Sequence, residues 1–149
     1  MRTVLRKIRN HFFSAFREIF VYHHTSLEFR AKTYAVMIAG AEEPIHRYLD
    51  VLEEIAGEIY AESDRAAALV MTVQEYVSAS GAKKTRNDQT LIYDIVEELR
   101  LMPRYAQKIE PAHLRRLQSC TSEDANKIYQ ERIIEFLSRK RLDFEEAKR

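Results

Sequence analysis

Several residue types that anchor common structures and sites are scarce in this sequence. Cys120 is the single cysteine among 149 residues, which excludes an internal disulfide and a cysteine zinc cluster. Glycine and proline occur three times each, so tight turns are few and long helices are favoured over a sheet. No apolar run approaches the roughly 20 residues of a membrane span, and the N-terminus lacks the apolar core and cleavage site of a secretory signal. We therefore expect a cytoplasmic protein.

The charges nearly balance overall but are unevenly distributed along the chain. There are 24 Lys and Arg residues against 23 Asp and Glu residues, whereas nucleic-acid-binding domains are usually more basic. Residues 1–17 contain five cations and no acid, and residues 42–64 contain eight acids. This asymmetry indicates either docking within the molecule or a charged partner. The length fits a single helical domain over residues 1–149.

Residues 2–24 have the pattern of a basic amphipathic helix. Their apolar side chains recur at helical spacing, and Arg2, Arg6 and Arg9 belong to the polar side. The pattern predicts a helix packed on the domain, which is the commoner use of such a stripe. The alternative is a helix lying on an anionic membrane, with these arginines as the membrane or partner surface. The stripe consists of Leu5, Ile8, Phe12, Phe16, Ile19 and Phe20.

The chain as a whole predicts an all-α bundle of about seven helices, without a sheet. Apolar residues recur at helical spacing, and no segment alternates apolar and polar residues over a useful length. Gly40 is predicted to end the second helix at its C′ position, and Thr121 to cap the last helix. Residues 80–87 are predicted as a loop and 141–149 as a frayed, charged tail. The predicted helices are 2–24, 26–39, 42–61, 64–79, 87–102, 110–119 and 122–140.

The acidic stretch 42–64 carries the main candidate site. His46, Asp50 and Glu53 are spaced i, i+4 and i+7 and therefore share one helical face, with Glu42 and Glu43 at the helix start. Oxygen-rich clusters of this kind suit a hard divalent cation. These five residues are the predicted metal ligands. The alternative is an acidic face that is hydrated, or paired with Arg and Lys from elsewhere.

Two Glu-x-x-His tetrads, Glu43 to His46 and Glu110 to His113, suggest a second metal arrangement. Di-iron bundles use this spacing twice to place a carboxylate and an imidazole on one helical face. In both tetrads a proline directly follows the glutamate. Because a proline in mid-helix breaks the ladder that positions such ligands, we interpret the tetrads as helix N-termini with acids matched to the dipole. A carboxylate–histidine metal bundle is the alternative.

The sequence offers no support for nucleophilic catalysis. Cys120 precedes a helix start, which can lower the pKa of a thiol, but no oxyanion loop, nearby base or orienting group can be recognised. No phosphate-binding glycine loop and no dinucleotide fingerprint occurs. We therefore predict a non-enzymatic protein whose one candidate cofactor is a divalent metal ion.

Two stretches together resemble the tellurite-resistance TerB-like domains. AKTYAVMIAGAEEPIHRYLDVLEEIA resembles the family's helix, acidic turn and second helix. LIYDIVEELRLMPRYAQKIEPAHLRRL, followed by TSEDANKIYQERIIEFL, resembles its later half. The likeness covers roughly residues 27–138. The family's turn usually contains Asp-Gly, where this chain reads Ala39-Gly40-Ala41-Glu42-Glu43.

The resemblance implies a compact helical domain without known catalytic activity and with a stress-linked or membrane-associated role. The positions matching the family's acidic residues are Glu42, Glu43 and Asp50. The leading hypothesis is therefore a non-enzymatic interaction or cation-binding module that uses an acidic helix. Its partners would be a protein or a second copy, with peripheral contact of residues 1–24 at the inner membrane face. The alternatives are the metal-dependent bundle and a plain oligomerisation module.

Overall fold

Six α-helices and one 3₁₀ helix make up the part of the chain that the structure describes. The computed structural model describes residues 25–83 and 87–146. No strand occurs within these residues, which confirms the predicted all-α bundle. The elements are α1 (Thr25–Ala39), α2 (His46–Ile59), α3 (Ser63–Lys83), α4 (Asn87–Leu101), the 3₁₀ helix (Pro103–Lys108), α5 (Pro111–Gln118) and α6 (Asp124–Glu146).

Helix α1 lies at the centre of the bundle and contacts α3, α4, α5, α6 and the 3₁₀ helix. It is buried on nearly all sides, as expected of a helix at the centre of a bundle. Tyr34, Met37 and Ile38 are each at most 1% exposed, and burial of one such side chain contributes about 1.5–3 kcal/mol. The acidic α2 lies to one side, where it packs on α3 and α5 and exposes its polar face.

Two helix ends lie further along the chain than the sequence predicted. Helix α3 continues to Lys83, so residues 80–83 of the predicted loop are helical. Helix α6 continues to Glu146, so residues 141–146 of the predicted charged tail are helical. Arg141 Nη1 donates a hydrogen bond to the carbonyl of Ile109 at 2.7 Å, which holds this last part of α6 against the bundle.

The turn between α1 and α2 is not the glycine C-cap that the sequence predicted. Gly40 has no positive φ, whereas Glu42 has a φ of 56°, in the left-handed region that favours glycine. Gly40 is favoured for a different reason. A Cβ atom at this position would overlap the end of the Tyr129 ring of α6, so glycine lets this ring lie against the turn.

Thr121 does not cap α6, which begins at Asp124. Its hydroxyl donates to Gln130 Oε1 at 2.7 Å, so the Tyr48 hydroxyl, 2.8 Å away, donates to Thr121. Gln130 Nε2 donates back to the Tyr48 oxygen at 3.3 Å and to the carbonyl of Met37 at 3.1 Å. Tyr48, Thr121 and Gln130 thus form a closed hydrogen-bond triangle in which each member is at most 3% exposed. The triangle connects α2 to α6.

Some predictions fall on parts of the chain that lie outside the described residues. These are the helix over residues 2–24 with Arg2, Arg6 and Arg9, the loop residues 84–86, and the tail residues 147–149. Within residues 25–83 and 87–146, every helix is too short or too polar to cross a lipid bilayer.

Candidate binding cleft

A cleft of about 410 Å³ runs along the outside of α2 and α3, beside the turn that joins them. Its lining is largely apolar and partly made of small residues, so the two helices leave a channel between them. Helix α2 and the following turn contribute Leu49, Glu53, Ala56, Gly57, Tyr60 and Ala61, and α3 contributes Ser63, Ala66, Ala67, Val70, Met71 and Gln74. We call this channel the α2–α3 cleft.

Gly57 lies in the last turn of α2 and lines the α2–α3 cleft. Glycine in a helix interior is less favourable than alanine by about 1 kcal/mol. A Cβ atom at Gly57 would have no neighbour within 4 Å, so no packing in the described part of the chain calls for glycine. The backbone of α2 is therefore open here to close approach from outside. Gly57 was not predicted as a functional residue, and its signal in the sequence was an isolated glycine within a helical pattern.

Acidic residues border the α2–α3 cleft. Glu53 lines it and is exposed, and Glu62 and Asp64 are exposed residues next in sequence to Ala61 and Ser63, which line the cleft. Glu54 and Glu58 lie on another flank of α2. There the Arg116 guanidinium of α5 lies 2.8 Å from Glu58 Oε2 and 3.2 Å from Glu54 Oε2, which compensates that part of the acidic surface.

The structure separates Glu43 from the other predicted metal ligands. Glu42 is exposed in the turn, and His46, Asp50 and Glu53 are exposed along α2. Glu43 is directed towards α6. Within residues 25–83 and 87–146, no group of three or more His, Cys, Asp or Glu side chains is arranged to hold a metal ion. Metal binding at these five residues therefore stays a prediction from the sequence.

The sequence predicted that Glu43 interacts with the start of its own helix, α2. In the structure Glu43 instead binds residues at the start of α6. Its Oε1 accepts hydrogen bonds from the Ser122 N–H at 3.0 Å and the Ser122 hydroxyl at 2.9 Å. Its Oε2 accepts one from Asn126 Nδ2 at 3.0 Å, and the side chain is 6% exposed. Burial by itself raises the pKa of Glu43, but the hydrogen bonds from Ser122 and Asn126 outweigh it and hold the pKa below its ordinary value.

Glu110 and His113 contact each other at the start of α5, as their spacing suggests. His113 Nδ1 lies 2.5 Å from Glu110 Oε2 and 3.2 Å from the Tyr34 hydroxyl. Glu110 Oε1 lies 3.2 Å from Nη1 of Arg30, an arginine that is 5% exposed. The tetrad thus compensates a buried positive charge of α1, whereas Glu43 of the other tetrad binds α6. The two tetrads have separate partners, and within the described residues they do not meet as one ligand set.

Arg30 also connects this cluster to the end of the α2–α3 cleft. Its Cζ lies 6.0 Å from the ring centroid of Tyr60, a residue that lines the cleft. Arg65 of α3 approaches the same ring, with its Cζ 5.6 Å from the centroid. Cations near an aromatic face are attracted by its quadrupole. Burial raises the pKa of Tyr60, and the charges of Arg30 and Arg65 act in the opposite direction.

Cys120 does not have the environment of a reactive thiol. Burial raises its pKa, which is the opposite of the lowering that a helix start can produce. Its Sγ lies 3.6 Å from the carbonyl oxygen of Arg116.

Comparison of the chain with protein-family models, with curated proteins and with solved structures finds no match.

Proposed function

We propose that this protein is a non-enzymatic helical interaction domain of the TerB-like type, which binds a basic, amphipathic protein segment in the α2–α3 cleft. The observation that carries the proposal is the cleft itself, which combines an apolar floor with an acidic border. The proposal retains the cytoplasmic location and the stress-linked role that the sequence and its resemblance suggest.

The chemistry of the α2–α3 cleft favours a helix with one apolar and one basic face. Such a helix buries its apolar side chains at positions i, i+3, i+4 and i+7 in a groove of this kind. Its cations would face Glu53, Glu62 and Asp64 at the border. Electrostatic complementarity of this sort speeds association and orients the partner more than it adds affinity. An isolated metal ion fits less well, because these acids are distributed along a rim instead of converging.

The test uses a synthetic amphipathic peptide of leucine and lysine, titrated into the full chain and followed by fluorescence anisotropy. The cleft-filling variant is Gly57→Gln, because this position has open space for a side chain and the charge is unchanged. The matched control is Ala125→Gln, at an exposed position of α6. We expect the wild type and the control to bind with an affinity that falls as salt is added, and the Gly57→Gln variant to lose binding.

A peptide that binds Gly57→Gln as well as it binds the wild type would contradict the proposal. So would equal binding of a leucine–glutamate peptide, because the acidic border would then have no part in recognition.

A further inference from the structure

At the Tyr60 end of the α2–α3 cleft, a buried arginine has hydrogen-bond donors that no described residue accepts. Arg30 is 5% exposed, and its Nε and Nη1 atoms are without a hydrogen-bond partner within residues 25–83 and 87–146. Buried donors in native structures are nearly always satisfied, so such an exception calls for an explanation. We infer that Arg30 binds the C-terminal carboxylate of the segment that occupies the cleft. The inference rests on the proposed function and deepens it, because it identifies which part of the partner lies at this end.

Tyr60 lies between the α2–α3 cleft and Arg30. It lines the cleft, its ring centroid is 6.0 Å from Arg30 Cζ, and its side chain is hydrogen-bonded to Arg30. It directly follows α2 in an extended conformation, with φ of −115° and ψ of 121°, and belongs to neither helix. We expect the Tyr60 ring to turn aside when the partner binds, which exposes the guanidinium to the cleft without unwinding a helix.

A carboxylate matches the donors of Arg30 better than the Tyr60 hydroxyl does. Charge-assisted hydrogen bonds to an ionised acceptor are roughly twice as strong as those to a neutral one. Glu110 Oε1 lies 3.2 Å from Arg30 Nη1 and compensates the buried charge, but it leaves the hydrogen-bonding capacity of Nε and Nη1 unused. The other oxygen of Glu110 contacts His113. A second carboxylate therefore finds donors at Arg30 that the protein itself does not occupy.

The partner that the cleft favours determines the source of this carboxylate. A segment of apolar and basic residues has no acidic side chain, so its carboxylate is the chain terminus. The C-terminal end of a helix also carries a partial negative charge, which is attracted by Arg30 and Arg65 near the Tyr60 ring. Glu62 and Asp64 are exposed, so solvent screens their charges, whereas the charge of the buried Arg30 is screened less. The partner helix therefore runs parallel to α2 and ends at Tyr60.

Two forms of the leucine–lysine peptide test this contact, one with a free C-terminal carboxylate and one with a C-terminal amide. Fluorescence anisotropy of an N-terminal label gives the affinity of each form for the full chain. We expect the free acid to bind about tenfold more tightly, because amidation removes hydrogen bonds to a charged acceptor. Amidation also makes the peptide more positive, which by itself favours an acidic border, so net charge alone predicts the opposite result.

Three variants locate the contact through the ratio of the two affinities, which a general loss of stability does not change. Arg30→Gln should bring the ratio to about one. Arg132→Gln makes the same change at an exposed position of α6 and should keep the tenfold ratio. Tyr60→Phe keeps the ring but removes the hydroxyl that competes for Arg30, so it should raise the ratio. If Arg30→Gln does not fold, Tyr60→Phe decides; a ratio that stays at the wild-type value in either folded variant overturns the inference.

The remaining outcomes separate the source of the carboxylate from the function of the cleft. An amidated peptide with glutamate as its last residue that binds as tightly as the free acid would overturn the terminal carboxylate in favour of a side chain. Equal binding of the acid and amide forms to the wild type would overturn the inference alone. Absence of binding of both forms would overturn the function of the cleft and the inference together.

Discussion

Glu43 accepts a hydrogen bond from the backbone N–H of Ser122 at 3.0 Å, although 79 residues separate them in the sequence. The N-terminal N–H groups of a helix have no partner within the helix. The Glu43 carboxylate also accepts a hydrogen bond from the backbone of Glu123, directly before α6, and its charge interacts favourably with the helix dipole. The turn between α1 and α2 thereby supplies a cap for the beginning of α6.

Loss of the Glu43 carboxylate should destabilise the protein. We expect Glu43→Gln to lower the free energy of unfolding by about 1–2 kcal/mol, because hydrogen bonds to a charged acceptor are replaced by weaker ones. Urea denaturation provides the measurement. Glu42→Gln is the control, because the neighbouring carboxylate is exposed and its removal should change stability by no more than about 0.5 kcal/mol. Equal effects of the two substitutions would contradict the capping role.

The contribution of Glu43 to the free energy of unfolding should also depend on pH. Its pKa in the folded protein lies below the ordinary value, which is about 4.3 in unfolded chains. The stabilisation is therefore complete above the ordinary pKa and is lost as the pH falls through the lower, folded value. The stability difference between the wild type and Glu43→Gln should shrink across this acidic range, and a difference that stays constant there would argue against an ionised acceptor.

Replacement of Glu42 by glycine should stabilise the turn. A non-glycine residue in the left-handed region carries a strain of order 1–3 kcal/mol, while glycine adds about 0.5–1 kcal/mol of conformational entropy to the cost of folding. We therefore expect Glu42→Gly to raise the free energy of unfolding by roughly 0.5–1 kcal/mol. Glu42→Ala also removes the carboxylate but keeps the Cβ atom, so it should give no such gain. A loss of stability in the glycine variant would show that the φ of 56° is not strained.

The two glycines at positions 40 and 57 should respond in opposite ways to alanine. Gly57→Ala should stabilise α2 by about 0.5–1 kcal/mol, because the added methyl group meets open space. Gly40→Ala should cost about 1–3 kcal/mol, because its Cβ atom displaces the Tyr129 ring. Thermal denaturation compares both with the wild type. Adding Tyr129→Ala to Gly40→Ala should cost less than the sum of the single changes, and strict additivity would exclude the steric contact.

The hydrogen-bond triangle should be sensitive to the loss of one hydroxyl. Thr121→Val keeps the shape of the side chain but leaves the Tyr48 O–H without an acceptor and Gln130 Oε1 without a donor. We expect a loss of about 1–3 kcal/mol, the cost of unsatisfied buried polar groups. The control Thr90→Val makes the same change at an exposed position of α4 and should stay within about 0.5 kcal/mol of the wild type. A loss at Thr121 no larger than that at Thr90 would contradict the triangle.

Helix positions were predictable from the sequence because each helix carries its own apolar periodicity. Helix ends were less predictable where distant contacts decide them. The extension of α6 beyond Arg141 depends on a carbonyl of Ile109, and a prediction from local sequence does not include that partner. The same limitation explains Thr121, whose spacing fits a capping box but whose hydroxyl binds Tyr48 and Gln130.

In the candidate sites, too, contacts within one helix were predictable from the sequence, whereas contacts between distant residues were not. The Glu110–His113 contact follows from i, i+3 spacing on one helix. Its partners on α1 lie about 80 residues earlier, and no local pattern indicates them. The α2–α3 cleft was not predictable either, because a cleft depends on the packing of two helices. Its acidic border was visible in the sequence as the charge of residues 42–64.

The hydrogen-bond triangle cannot form in the nascent chain until its last member, Gln130, has been synthesised. Gln130 follows Tyr48 by 82 residues. At synthesis rates of about 5–20 residues per second, Gln130 is therefore synthesised roughly 4–16 seconds after Tyr48. During most of this interval the Tyr48 hydroxyl has neither of its two partners, and α1 lacks the cover that α6 provides. The early translation product therefore exposes apolar surface for seconds, and we expect it to depend on chaperones until α6 has been made.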